Sequence, residues 1–107
     1  MIVSMPCIDV EPTAELTNWT IMRCKNQAGV ISLHLVGNEP GFCGRCSTDV
    51  MELDRKPRDP RYTATAKTKS GRLYGLIGKE QDVVSPDAAY VASMYCQMNK
   101  LEMLIEE

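Results

Sequence analysis

Polar and apolar positions alternate with a period of two through much of the chain, and the spacing lengthens near its end. Residues 19–24 alternate as a strand does. Val30-Ile31-Ser32-Leu33-His34-Leu35-Val36 puts Ile31, Leu33 and Leu35 on one face of a second strand. Residues 26–29, between them, carry a turn signal, and Gly37-Asn38-Glu39-Pro40-Gly41 breaks the second strand. A third strand is expected over about 46–53. Pro57 and Pro60 then make 55–60 a loop or sheet edge, because proline cannot donate to a ladder.

The clearest local signal is Ser70-Gly71, a pair of the kind that two-residue hairpin turns use, flanked by strands over 61–69 and 72–78. Registered on that turn, Lys69 faces Arg72, Lys67 faces Tyr74 and Thr65 faces Leu76. Thr68, Ala66 and Ala64 meet Leu73, Gly75 and Ile77 on the other face. The small apolar face is expected on the core, and Lys67, Lys69, Arg72 and Tyr74 are expected to look outward.

A helix is expected over 85–106. Ser85 suits the N-cap, Pro86 the first helical position, and Asp87 complements the dipole. Val91, Met94, Met98, Leu101 and Ile105 recur at three and four and predict its apolar stripe, with Ala88 and Tyr95 beside it. Residues 1–18, with Pro6, Pro12 and three acids, read as irregular, with a short helical turn over 13–17 that Thr13 would cap. The expected fold is therefore one α+β domain spanning 1–107. It has an irregular start (1–18), an antiparallel β-meander of about five strands (19–78), and a C-terminal amphipathic helix (85–106) packed on one face.

Composition leaves this picture unchanged. With 107 residues, 44% apolar and 24% charged, the chain has the makeup of an ordinary soluble domain with one core. No run approaches a membrane span, and the first residues lack the basic and apolar regions of a signal peptide. A cytoplasmic location is expected, with no membrane partner and with the five cysteines mostly reduced.

Charge changes the picture more. Residues 55–79 hold eight bases (Arg55, Lys56, Arg58, Arg61, Lys67, Lys69, Arg72, Lys79) against Asp59, for +7. The rest holds four bases against thirteen acids, for −9. Such asymmetry suggests contact with a charged partner. Lys67, Lys69 and Arg72 with Tyr74 on a hairpin face, and Arg55, Arg58 and Arg61 beside it, supply both the cations and the ring that nucleic-acid binding uses. Edge lysines also serve to block strand-to-strand aggregation, and the overall pI near 5.4 argues against a dedicated nucleic-acid binder.

Cys43-Gly44-Arg45-Cys46 is a paired spacing that can place two thiolates on zinc. Zinc wants four ligands. Cys7, Cys24, Cys96 and His34 are scattered without a second paired spacing, so two free thiols are the favoured reading and no cofactor is expected. His34 alternates with Leu33 and Leu35 and is expected exposed or half-buried on the opposite face. The chain has no G-x-S-x-G, phosphate-cradling loop or H-E-x-x-H, so an enzyme is not expected. The methionine stripe reads as core, or as a helix–helix seam in a homodimer.

The string Thr68-Lys69-Ser70-Gly71-Arg72-Leu73-Tyr74-Gly75-Leu76-Ile77-Gly78, preceded by Asp49-Val50-Met51-Glu52-Leu53-Asp54, resembles small uncharacterised proteins of phages and mobile elements. In size and missing chemistry the chain is also similar in type to phage-encoded inhibitors of bacterial defence complexes, anti-CRISPR proteins among them. That likeness implies a non-enzymatic inhibitor, monomer or homodimer, that blocks a host protein or ribonucleoprotein complex by shape and charge. The alternatives are a nucleic-acid-binding or regulatory module on the same hairpin and a small zinc-stabilised module.

Overall fold

A meander of five strands can close on itself only through a parallel seam, because its first and fifth strands run the same way. The computed structural model describes residues 3–4, 14–40 and 44–104, and there the chain closes in this manner. The strands are β1 (Val3–Ser4), β2 (Ala14–Lys25), β3 (Ile31–Asn38), β4 (Arg45–Asp54), β5 (Ala64–Thr68) and β6 (Leu73–Leu76). Helix α1 (Pro86–Met98) and a short β7 (Glu102–Leu104) follow. Strands β2 to β6 pair in succession as an antiparallel meander, and β6 returns to pair with β2 in parallel through Ala14–Tyr74, Glu15–Gly75 and Leu16–Leu76. β1 adds to β4 in parallel, and β7 adds to β2 antiparallel. The molecule is a single α+β domain with one helix packed on the outside of the sheet.

Two long strands carry the closure, and both are bent by bulges. β2 spends three residues against two of β3 between Thr17 and Thr20, where Asn18 takes a left-handed φ of 48°. Asparagine tolerates that conformation better than most residues, and a bulge turns the strand sharply. Leu16 can therefore pair toward β6 while Thr20 to Lys25 pair toward β3. β4 has an extra residue against β3 near Ser47 and another against β5 at Met51. The Ser47 hydroxyl accepts from Leu35 N at 2.8 Å, so an amide that the bulge would strand stays satisfied.

The ring encloses one core layer: Leu16, Trp19, Leu35, Val50, Tyr74 and Leu76, with small Ala14, Ala64 and Ala66 filling the taper. Each large side chain so buried contributes roughly 1.5–3 kcal/mol. Trp19 donates its indole N–H to the Gly78 carbonyl at 2.9 Å, which ties the ring's seam to the chain leaving β6. A second layer lies between the sheet and α1 and contains Met22, Cys24, Val36, Ala88, Ala92 and Cys96.

Several expectations are corrected. Residues 1–18 are not irregular throughout, since the described part from Ala14 to Asn18 belongs to β2 and no helical turn forms there. Pairing with β6 and β3 outweighs the local capping signal. The helix does not reach 106. It ends at Met98, with Asn99 as C-cap and Lys100 at a left-handed φ of 53°. Leu101 N donates to the Cys96 carbonyl at 2.8 Å and Lys100 N to that of Gln97 at 3.4 Å, the paired bonds of a Schellman stop. No glycine marks it, so the apolar period ran on past it in the sequence. Ile105 lies outside the described residues.

The buried face of α1 is also not the methionine stripe. Ala88, Ala92 and Cys96 face the sheet, Val91 is half-buried, and Met94 and Met98 are exposed at 41% and 77%. The helix comes too close to β4 for large side chains. A Cβ on Gly44 would stand 2.8 Å from the Ala88 Cα and from the Asp87 carbonyl oxygen. The N-terminus itself is built as expected, with Ser85 Oγ accepting from Ala88 N at 3.2 Å and Pro86 opening the helix. Among the described residues no helix is long and apolar enough to cross a membrane.

This close approach yields a test. Gly44→Ala should push α1 off the sheet and cost about 1–3 kcal/mol in urea denaturation. An unchanged midpoint would mean that helix and sheet are not so tightly apposed.

Candidate partner interface

The hairpin between β5 and β6 has a three-residue turn, not the two-residue one expected. Gly71 N donates to the Thr68 carbonyl at 2.8 Å, and Thr68 N donates to the Arg72 carbonyl at 3.0 Å. Gly71 adopts a φ of 91°, which only glycine takes without strain. This is a type I turn closed by a glycine bulge, and Lys69, Ser70 and Gly71 form its loop.

The extra residue slips the register by one. Lys67 pairs with Leu73 instead of Tyr74, Ala66 with Tyr74, and Ala64 with Leu76. Since side chains alternate across a strand, a slip of one exchanges the faces. Tyr74 therefore lies inside the ring, 3% exposed, and is not part of any outward face. The aromatic platform expected beside the cations is absent from the hairpin.

The cations themselves are exposed. Lys67, Lys69 and Arg72 surround the end of the hairpin, with Lys67 on its outer face and Lys69 and Arg72 at the turn. No ion pair among the described residues involves any of the three. They sit on a fixed support, because Lys69 N donates to the Asp49 carbonyl at 2.7 Å and Ser70 N to the Thr48 hydroxyl at 3.2 Å. Both bonds pin the turn to β4.

The loop arginines behave differently. Arg61 clasps Asp59 through Nε at 3.0–3.1 Å and Nη2 at 2.6 Å, and its guanidinium stands 5.1 Å from the centre of the Tyr62 ring. Hydrogen bonds from Arg61 hold the Asp59 carboxyl below its ordinary pKa. Arg55 meets Glu80 at 3.4 Å, and Arg58 also has a partner within the chain. The basic stretch thus contains loop arginines engaged within the chain and a hairpin tip whose cations form no ion pair among the described residues.

His34 is 3% exposed, not on an open face. Around His34 the strand β3 is covered on both sides, by the ring's interior and by α1, so residues 34–37 are buried on either face. His34 Nδ1 donates to the Ser47 carbonyl at 2.8 Å and Nε2 shares a hydrogen bond with the Ser32 hydroxyl at 2.8 Å, while the Tyr95 ring lies 5.1 Å away. Both nitrogens are engaged, and the bond from Nδ1 holds the β4 bulge.

Of the expected thiol pair, Cys43 lies outside the described residues. Cys46 is half-buried and packs with Cys24 and Cys96 under α1, a convergence from three elements that linear spacing did not reveal. The Cys24 and Cys96 sulfurs are 3.8 Å apart. Burial, then the bond to Cys96, pushes the Cys24 thiol up to about 12, and burial pushes Cys46 up to about 12. Among the described residues no three His, Cys, Asp or Glu side chains stand close enough together to hold a metal ion. Compared with known proteins, the chain matches no family model, no curated protein and no solved structure.

Tyr74→Ala should cost roughly 3–5 kcal/mol, as truncation of a core aromatic does. Single Glu substitutions at Lys67, Lys69 or Arg72 should each stay within about 0.5 kcal/mol. Thermal melts of the four variants separate core from surface, and a mild Tyr74→Ala would return that ring to the outside.

The thiols give a pH dependence. Cys24 and Cys46 hold their protons more tightly folded than at their ordinary value of 9.0. Their contribution is complete below pH 9 and is lost as pH rises toward about 12. Urea midpoints should fall over that window and fall less steeply in Cys24→Ala. Parallel slopes for the two proteins would show that Cys24 titrates normally.

Proposed function

We propose that the chain is a small non-enzymatic interaction module that docks the tip of its β5–β6 hairpin on an acidic surface of a partner protein. The observation that carries this reading is the contrast within the basic stretch. Arg55, Arg58 and Arg61 are engaged within the chain, while Lys67, Lys69 and Arg72 project together with no ion pair among the described residues. A cationic tip on a pinned support is pre-organised, so little ordering entropy opposes docking. Its charge would steer encounter and fix register.

Burial of Tyr74 favours a protein over a nucleic acid as the partner, since three cations without a ring lack a surface on which bases stack. The likeness in type to phage inhibitors makes a nucleic-acid-handling host complex the first candidate. In that case a steric block delivered by the hairpin would be the mechanism of inhibition.

Reversing Lys67, Lys69 and Arg72 together to Glu should weaken binding to the captured partner by about a hundredfold or more with the melting temperature little changed. Undiminished capture by the folded triple variant would exclude the tip as the contact. A salt-sensitive gel shift with an oligonucleotide that the triple variant abolishes would transfer the same surface to a nucleic acid.

A further inference from the structure

The two core layers differ in chemistry. The ring's interior, with Ile21 at its margin, contains no sulfur. Four of the nine side chains that pack between sheet and helix carry it: Met22, Cys24, Cys46 and Cys96. Packing under a close helix calls for small apolar residues, and Ala88 and Ala92 meet that need. Sulfur is not required by volume, so its concentration in one layer asks for another reason.

The geometry supplies one. Met22 and Cys24 are two apart on β2 and so point the same way, toward α1. From α1, Cys96 places its sulfur 3.8 Å from that of Cys24 and 4.0 Å from that of Met22. Two sulfurs bound to one metal at about 2.3 Å stand about 3.8 Å apart in a tetrahedral arrangement and about 4.0 Å apart in a trigonal one. The sulfur of Cys96 therefore already sits at shared-metal separations from both of the others. Cys24 is fully buried and Cys96 is 7% exposed, so water would not compete for the position. Cys46, half-buried, packs against the same cluster.

We propose that Cys24, Cys96 and Met22 form a binding site for a soft monovalent cation, Cu(I). Two thiolates and a thioether select this ion over hard cations, which want oxygen, and over zinc, which wants four ligands. Binding breaks two S–H bonds, sends two protons to solvent, and forms two metal–thiolate bonds and one thioether bond. No atom changes oxidation state. The ion would pin α1 to β2 in place of the weak thiol hydrogen bonds that now join them, so loading should stabilise the fold.

The test uses the full chain with Cys7 and Cys43 replaced by serine, reduced and kept free of oxygen. Cu(I) is offered as its bicinchoninate complex, and the product is read by native mass spectrometry and thermal melting. One Cu(I) per chain with loss of two protons and a raised melting temperature is expected. Cys24→Ala and Cys96→Ala should abolish uptake. The near-isosteric Met22→Leu, whose fold is checked by Trp19 fluorescence, should keep the stoichiometry and lose about tenfold or more in affinity. No transfer to the folded protein, uptake indifferent to both cysteine changes, or loss of two hydrogens without metal, which marks a disulfide, would each overturn the site.

Discussion

The bend in β2 is the constraint on which the rest of the structure depends. A strand has two edges, and the ring uses both in β2: β6 pairs with its first three residues and β3 with most of the rest. The left-handed Asn18 and the bulge around it turn the strand so that its first part meets β6 in parallel and its remainder meets β3. The parallel seam is only three residue pairs long, and parallel pairing is the weaker kind. It is reinforced from outside the ladder. Ile77 N donates to the Leu16 carbonyl at 2.9 Å, Gln81 N to that of Trp19 at 2.8 Å, and the Trp19 indole to Gly78. The Tyr62 hydroxyl adds a 2.5 Å bond to Glu15 beside the same seam.

Closure explains why the strands read well in the sequence and their faces did not. Alternation reports which residues lie on opposite sides, but not what lies beyond each side. For β3 the second side is the underside of α1, so His34 and Val36 are as buried as Leu35. The same holds for β2, where Leu16 and Trp19 fill the ring while Met22 and Cys24 fill the layer beneath the helix. A ring capped by a helix leaves few strand positions in water.

The candidate interface was legible in part. Its cations stand out in composition, and three of them are exposed as the alternating pattern implied. What failed was the count of residues in one turn. Ser70-Gly71 suits a two-residue loop by chemistry, yet Gly71 serves as the bulge residue of a three-residue loop. The choice is made by contacts far away in sequence, since β4 holds the turn through Asp49 and Thr48. A difference of one residue then moved Tyr74 from the surface to the core. The helix stop failed for a related reason, because a lysine occupies the position where glycine would have announced it.

The sulfur cluster was illegible for a different reason, and a more general one. Cys24, Cys46 and Cys96 come from β2, β4 and α1, and no two of them are spaced as metal ligands usually are on one segment. The paired motif at Cys43 and Cys46 drew attention to a local turn, whereas the geometry groups Cys46 with partners 22 and 50 residues away in sequence. Ligand spacing reveals sites built on one loop. A site built where a helix crosses a sheet leaves only a compositional trace, and here the trace is the division of sulfur between two layers of a single core. That division is visible only once closure has sorted the strand residues into those facing the ring and those facing the helix.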